Sequence, residues 1–289
     1  MDSIFDKITQ AINNFLISLI EGSLSTMFND VNEKVGTIAT EVGKTPQQWN
    51  ASMFSIIQTL SENVVLPIAG LIITFVLCYE LTTMITEKNN LHDVDTFMFF
   101  KYIFKACVAV FIATHTFDII MAVFDLGQYV VRQSAGAIGA NTSIDISAAL
   151  TDLRTTLEAM GTGELFLLML ETALVSLCMK ILSVCITVVI FGRMIEIYIY
   201  SSVGAIPFAT MTNREWGQIG SNYLRGLVAL GFQGFFIMVC VGIYAALVNG
   251  FTVTTDIHAT IFSIAAYTVV LCFTLFKTGS ISKSIFNAH

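Results

Sequence analysis

Apolar residues recur at helical spacing along the first sixty positions. Ile4, Ile8, Ile12, Leu16 and Leu19 form one stripe, with Phe5, Phe15 and Ile20 beside it. Leu24, Phe28, Val31, Val35, Ile38 and Val42 form a second, stopped by Gly43. Both patterns predict amphipathic helices. Thr45-Pro46 reads as an N-cap with proline at the first helical position. It opens a third helix carrying Trp49, Met53, Phe54, Ile57 and Leu60.

From residue 64 the pattern changes from stripes to continuous apolar runs. Residues 64–85, 102–124, 165–191, 226–249 and 257–276 are each long enough to cross a hydrocarbon layer about 30 Å thick. The third run, at roughly 40 Å, must tilt or project. Residues 192–211 are apolar but interrupted by Arg193, Glu196, Gly204 and Pro207. The pattern therefore predicts an all-α polytopic membrane protein. It has about five transmembrane helices, a re-entrant or interfacial segment, and N-terminal amphipathic helices. Residues 1–63 form the amphipathic region, extracytoplasmic or interfacial. Residues 64–289 form the transmembrane domain, with an extracytoplasmic loop at 125–164. In that loop Ile146, Leu150, Leu153, Leu157 and Met160 follow an a/d-type spacing over fewer than three heptads, too short to establish a coiled coil.

Composition makes lipid the solvent. Hydrophobic residues make up 55% of the 289, charged residues only 12%, and mean hydropathy is +0.76. A soluble domain carries about 25% charged residues. The net charge of −7 excludes a polybasic nucleic-acid binder. The N-terminus is acidic and mixed, without the basic start and apolar run of a secretory signal. Targeting then falls to the internal spans. The six cysteines all sit in apolar runs, with no paired spacing and no Cys/His cluster, so they read as small free hydrophobes.

The few charges orient the spans. Cytoplasmic loops carry the excess Lys and Arg. With five spans, an outside N-terminus and a cytoplasmic C-terminus, Lys88, Lys101, Arg193, Arg214, Arg225, Lys277 and Lys283 share one side, against five acids. The opposite side holds thirteen acids and five bases. A full crossing by 192–211 would destroy this asymmetry, which favours the re-entrant or interfacial reading.

Ionisable groups inside the spans are the candidate functional residues, since each costs a few kcal/mol if it faces lipid. Glu80 and Lys105 fall at similar depth on consecutive antiparallel spans and are placed to pair. Asp118 and Glu171 lie toward the outer ends of their spans, with His115 and Lys180 near the middle of theirs. Glu171 and Lys180 face opposite sides of one helix, so they cannot pair within it. His115 precedes Asp118 by three residues, a spacing open to a proton relay or to ordinary packing. Gly226, Gly231, Gly234 and Gly242 give the fourth span close-packing positions, and Gln233 among them can hydrogen-bond across helices.

Catalytic motifs are missing. There is no phosphate loop, nucleophile elbow or metalloprotease motif, so no catalytic, metal or cofactor residues are assigned. Energy for any active transport comes from elsewhere. The order of features has a familiar form. It runs from the amphipathic helices through Thr45-Pro46-Gln47-Gln48-Trp49-Asn50, a first span opening Leu66-Pro67-Ile68-Ala69, and a long loop after span two. It ends in the broken stretch around Val203-Gly204-Ala205-Ile206-Pro207-Phe208. This resembles the TrbL-like polytopic subunits of conjugative type IV secretion systems, in their Gram-positive mobile-element version.

The resemblance implies a scaffold or channel subunit, without catalytic residues, supporting transfer of relaxase-bound single-stranded DNA. It implies a homo-oligomeric ring in the bilayer. The implied partners are cytoplasmic ATPases, a bitopic membrane subunit, a surface or pilus-like component, and transiently the DNA–relaxase substrate. The residues alone also admit a small-solute secondary transporter, with Lys180, His115 and Asp118 as a coupling site, or a holin-like membrane protein. Gene neighbourhood separates these readings.

Overall fold

A computed structural model of the chain describes residues 2–86, 96–139, 154–211, 213, 215–249 and 257–288, excluding the side chains of 2, 3, 28, 31, 32, 96, 139 and 249. Among these residues the fold is all-α. Its helices are α1 (Asp2–Val42), α2 (Pro46–Trp49), α3 (Ala51–Leu60), α4 (Leu66–Thr86), α5 (Thr96–Thr114) and α6 (Thr116–Gly139). They continue as α7 (Thr162–Val203), α8 (Ala205–Thr210), α9 (Gly217–Asn249) and α10 (Ile257–Ile285). A π-helical segment, Ser61–Val65, joins α3 to α4. Five helical runs are long and apolar enough to cross a membrane: Ala51–Thr86, Phe97–Thr114, Thr162–Val203, Gly217–Val248 and Ile257–Ile285.

Several elements differ from expectation in instructive ways. The two N-terminal stripes belong to one helix of 41 residues, α1. Gly22 lies within it; a mid-helix glycine costs about 0.5–1 kcal/mol, less than packing returns along so long a face. The boundary expected after residue 63 falls inside a continuous helical run, because the π turn adds a residue without breaking the helix. The second run divides at His115, and the loop expected at 125–164 is helical as far as Gly139 and again over 154–158. Residues 140–153, with Ile146, Leu150 and Leu153, lie outside the described residues, as do Lys88 and Arg214; Leu157 is fully buried.

Of residues 192–211, expected to be re-entrant or interfacial, only those from Gly204 onward depart from α7. Residues 192–203 are the last turns of α7, where Met194, Ile197, Tyr198 and Ser201 are buried. The break falls at Gly204 because Pro207 has no N–H to return to the preceding turn.

The chain forms two compact units. The first comprises Met1–Val42, Val131–Ile190 and Phe236–Lys277; the second comprises Gly43–Val130, Phe191–Phe235 and Thr278–His289. The first has one extended aliphatic core, including Ile20, Leu24, Ile38, Leu165, Leu168, Ile237 and Leu271. The second has two smaller cores. One is built on Ile120, Phe124, Met194, Ile197, Phe208 and Leu227; the other is a small-residue set of Ala69, Ile73, Ala113, Ala205 and Ala209. In the second unit Thr45 caps α2 through a complete capping box with Gln48. The Tyr198 hydroxyl donates to the Pro46 carbonyl at 2.7 Å, and Trp49 meets Phe191 edge-on at 5.5 Å.

Candidate functional site

Polar chemistry concentrates in the second unit. At one end α4 presents Glu80 to α5. Lys105 Nζ donates to Glu80 Oε1 at 2.6 Å, and Asn213 Nδ2 donates to Glu80 Oε2 at 3.3 Å. Both carboxylate oxygens are therefore engaged. Asn213 is itself held in a turn, its Oδ1 accepting from the Glu215 and Trp216 amides at 2.7 and 3.1 Å. The Trp216 ring stacks on Phe75 and Tyr79, with centroids 5.5 and 5.7 Å away, and the Tyr79 hydroxyl donates to Glu215 at 3.1 Å.

Deeper in the same unit three backbone interruptions converge: the π segment, the turn at His115, and Gly204. A cavity of about 180 Å³ lies among them, lined by Ser61, Glu62, Thr114, Thr116, Asp118 and Ala205 among others. Gln58 Nε2 donates to Glu62 at 2.9 Å. His115 is committed to its own helix. Its Nδ1 lies 3.0 Å from the Phe111 carbonyl and its ring stacks on Phe111 at 4.4 Å. Among the described residues no hydrogen bond joins it to Asp118.

Counting residues places Asp118 toward the outer end of the second run and leaves the Gly204–Pro207 break outside all five runs. The structure brings them to one level. A side chain at Gly204 would collide with Ile120 and Tyr223 and press on Thr116, and Asp118 shares the cavity with Ala205.

Arg193 is only 3% exposed. Its Nη2 reaches the Gly231 carbonyl at 3.5 Å, and its Nε has no partner among the described residues. Glu196, one turn on, is bound by Lys283 at 2.9 Å. The same Gly231 carbonyl is approached by Gly127, where a methyl would sit 2.5 Å from the oxygen. Gln128, next in the chain, is fully buried with neither amide atom partnered among the described residues. Gln233 donates to Thr278 at 3.4 Å.

Of the glycines marked from the sequence, Gly226 packs on Tyr200, Gly231 on Val123 and Phe124, and Gly242 on Ile138; Gly234 is buried. The tightest approaches to backbone atoms, at Gly127 against the Gly231 carbonyl and at Gly220 against the Pro207 carbonyl, were not marked. Gly127 lay in a stretch expected to be a loop, which hid its role.

In the first unit Glu171 bonds His258 Nδ1, a partner that scattered histidines gave no means to find. The Tyr244 and Thr268 hydroxyls bond each other at 2.9 Å. Lys180 is exposed, and no partner lies within reach among the described residues. Among the described residues no three metal-binding side chains gather. These arrangements supply paired charges, a half-polar cavity and close helix crossings. The Thr114 hydroxyl at the cavity lies 3.1 Å from His115 Nδ1.

Residues 31–205 match the TrbL/VirB6 plasmid conjugal transfer like proteins, over more than half of the chain. The chain belongs to that family. No curated protein and no solved structure matches it. This TrbL/VirB6-like chain is a multi-pass membrane component of the conjugal transfer type, a structural component of a transfer system and not a member of a known enzyme family. Association with other secretion-system components follows from the family.

Proposed function

We propose that this TrbL/VirB6-like protein is a scaffold and channel subunit of a conjugative type IV secretion system, supporting passage of relaxase-bound single-stranded DNA across the cell membrane. The observation that carries the reading is the joint presence of the family match and five helices long and apolar enough to cross a membrane. Copies assemble as a ring beside other membrane subunits and cytoplasmic ATPases. In this reading the N-terminus lies outside and the C-terminus inside, which puts the excess of Lys and Arg on the cytoplasmic side. Glu80–Lys105 locks two spans together in this reading, and the cavity carrying Glu62 and Asp118 faces the transport path. A face carrying these carboxylates repels phosphate, which favours a conduit for protein over a wall that grips DNA.

A clean deletion of the gene should abolish transfer and leave relaxase nicking intact. Normal transfer from that strain ends the proposal. For orientation, Ser143→Cys should react with an impermeant maleimide on intact cells. Labelling only after permeabilisation inverts the topology.

A further inference from the structure

Helix α1 presents one continuous outward face whose character changes halfway. Ile8, Ile12, Phe15, Leu19, Gly22, Thr26, Asn29, Glu33, Gly36 and Thr40 follow alternating steps of four and three residues, and all are exposed. Up to Leu19 the face is large and apolar; from Gly22 onward it is small or polar. The opposite face, with Ile17, Ile20, Leu24, Met27, Ile38 and Val42, is buried in the core of the first unit.

The polar half lies at the depth of the spans. Asp30, Lys34, Val35 and Ile38 line one cavity with Met179, Ser183 and Ile186 of α7, and with Thr268 and Leu271 of α10. Residues 172–192 of α7 hold no charge except Lys180, so 179–186 is the middle of its apolar stretch. Beside it, the outward face of α7 is Leu174, Leu177, Ile181, Val184 and Val188, all more than half exposed, with Lys180 the one charge among them. Its long stem lets the ammonium reach toward the interface, which the short side chains of α1 do not allow. The outward face of α1 at the same level is Asn29, Glu33, Gly36 and Thr40. A charged side chain there costs about 2.5–3.5 kcal/mol against hydrocarbon, and each polar neighbour adds to that.

We propose that the Gly22-to-Thr40 face of α1 borders water within the membrane and lines an aqueous conduit, whose remaining walls come from other chains of the assembly. This rests on the channel-subunit reading above and names the part of the chain that meets the cargo. Glu21, Asp30, Glu33 and Glu41 against Lys34 make this half of α1 acidic. The acidic half of this face therefore attracts cationic groups more strongly than anionic ones.

The test is cysteine labelling in donor cells. Single cysteines replace Thr26, Asn29, Glu33 or Thr40 in a variant lacking the six native cysteines, each first shown to restore transfer to the deletion strain. The probes are membrane-impermeant methanethiosulfonates, one carrying a trimethylammonium group and one a sulfonate. All four positions should react, the cationic probe about tenfold faster at Asn29→Cys, with that preference shrinking when Glu33→Gln is added. Leu177→Cys and Ile181→Cys should stay unlabelled.

Silence at all four α1 positions, with labelling after denaturation, overturns the proposal. So does oxidative cross-linking of Asn29→Cys between two copies, which would put a second α1 where water is proposed. The paired change Asn29→Leu with Glu33→Leu should abolish transfer at normal membrane levels of the protein. Wild-type transfer from it also overturns the proposal. In either case transfer still lost on gene deletion leaves the channel-subunit reading standing.

Discussion

The two units solve the same problem, burying helices without exposing backbone, in opposite ways. The first relies on long helices and an aliphatic core, with the Tyr244–Thr268 pair buried inside it and the Glu171–His258 pair at its surface. The second departs from the regular α-helical ladder at Ser61–Val65 and His115, breaks it at Gly204, and gathers charges and amides around those positions. Broken backbone at membrane depth is tolerated only against protein or water. The cavity holding Glu62, Asp118 and three hydroxyls sits where the breaks meet. The comparison teaches that continuity serves stability in the first unit, while the second gives up part of it for a polar interior.

The sharpest way to break this comparison is to crowd each unit at a glycine. In the second unit a methyl on Gly127 meets the Gly231 carbonyl, which is backbone and cannot rotate away. Gly127→Ala should destabilise by about 2–3 kcal/mol, read as loss of monodisperse protein and a lower melting temperature in detergent. In the first unit a methyl on Gly242 meets the flexible end of Ile138 at 3.1 Å. Gly242→Ala should be nearly neutral, since the alanine helix preference offsets the small adjustment. Equal losses would mean the close crossing is no special feature of the second unit.

Next in size is the ion pair at the end of the second unit. Glu80→Ala leaves Lys105 unpaired, and Lys105→Ala does the same to Glu80. Each strands a charge at a cost of about 2–3 kcal/mol and should lose transfer. Exchanging the two residues should restore it, because the partners stay 2.6 Å apart with signs reversed. Equal loss in the exchanged variant would show that Asn213, which donates to Glu80, needs the carboxylate on α4.

A gain is expected at Gln128. Its amide is fully buried without a partner among the described residues, a burden of about 1–3 kcal/mol. Gln128→Leu should raise the melting temperature of the second unit. If the polar interior serves transfer, the same variant should transfer less well despite being more stable. A variant that is both more stable and fully active would reduce the amide to a packing flaw.

How far the fold could be read beforehand follows the same division. Continuous apolar runs announce spans whatever they pack on, so all five appeared from periodicity and length. The N-cap at Thr45 was legible because its chemistry is local, whereas the Gln48 half of the box and the new start at Asn50, which caps α3, were not marked. The levels of groups on different helices were not. That Asp118 and the Gly204 break adjoin one cavity could not be read, because counting within each run does not show how runs lie side by side. The His258 partner of Glu171 lies 87 residues away, and no local pattern joins them. Gln128 went unmarked since residues 125–164 read as loop, and a loop has no inside.

The smallest effect belongs to the one device of the second unit that is entirely local. Thr45 accepts from the Gln48 amide at 3.2 Å, and the Gln48 side chain returns the bond to the Thr45 amide at 3.2 Å. Thr45→Ala removes half of that box and should cost about 1 kcal/mol. Pro46 still starts the helix, and Tyr198 still anchors its carbonyl. Thr45→Ser should recover nearly all of the loss. If instead Thr45→Ala disrupts the unit as severely as Gly127→Ala, the short helix α2 positions Trp49 against Phe191 as a keystone of the broken region. Its contribution then comes from that aromatic contact and not from the cap.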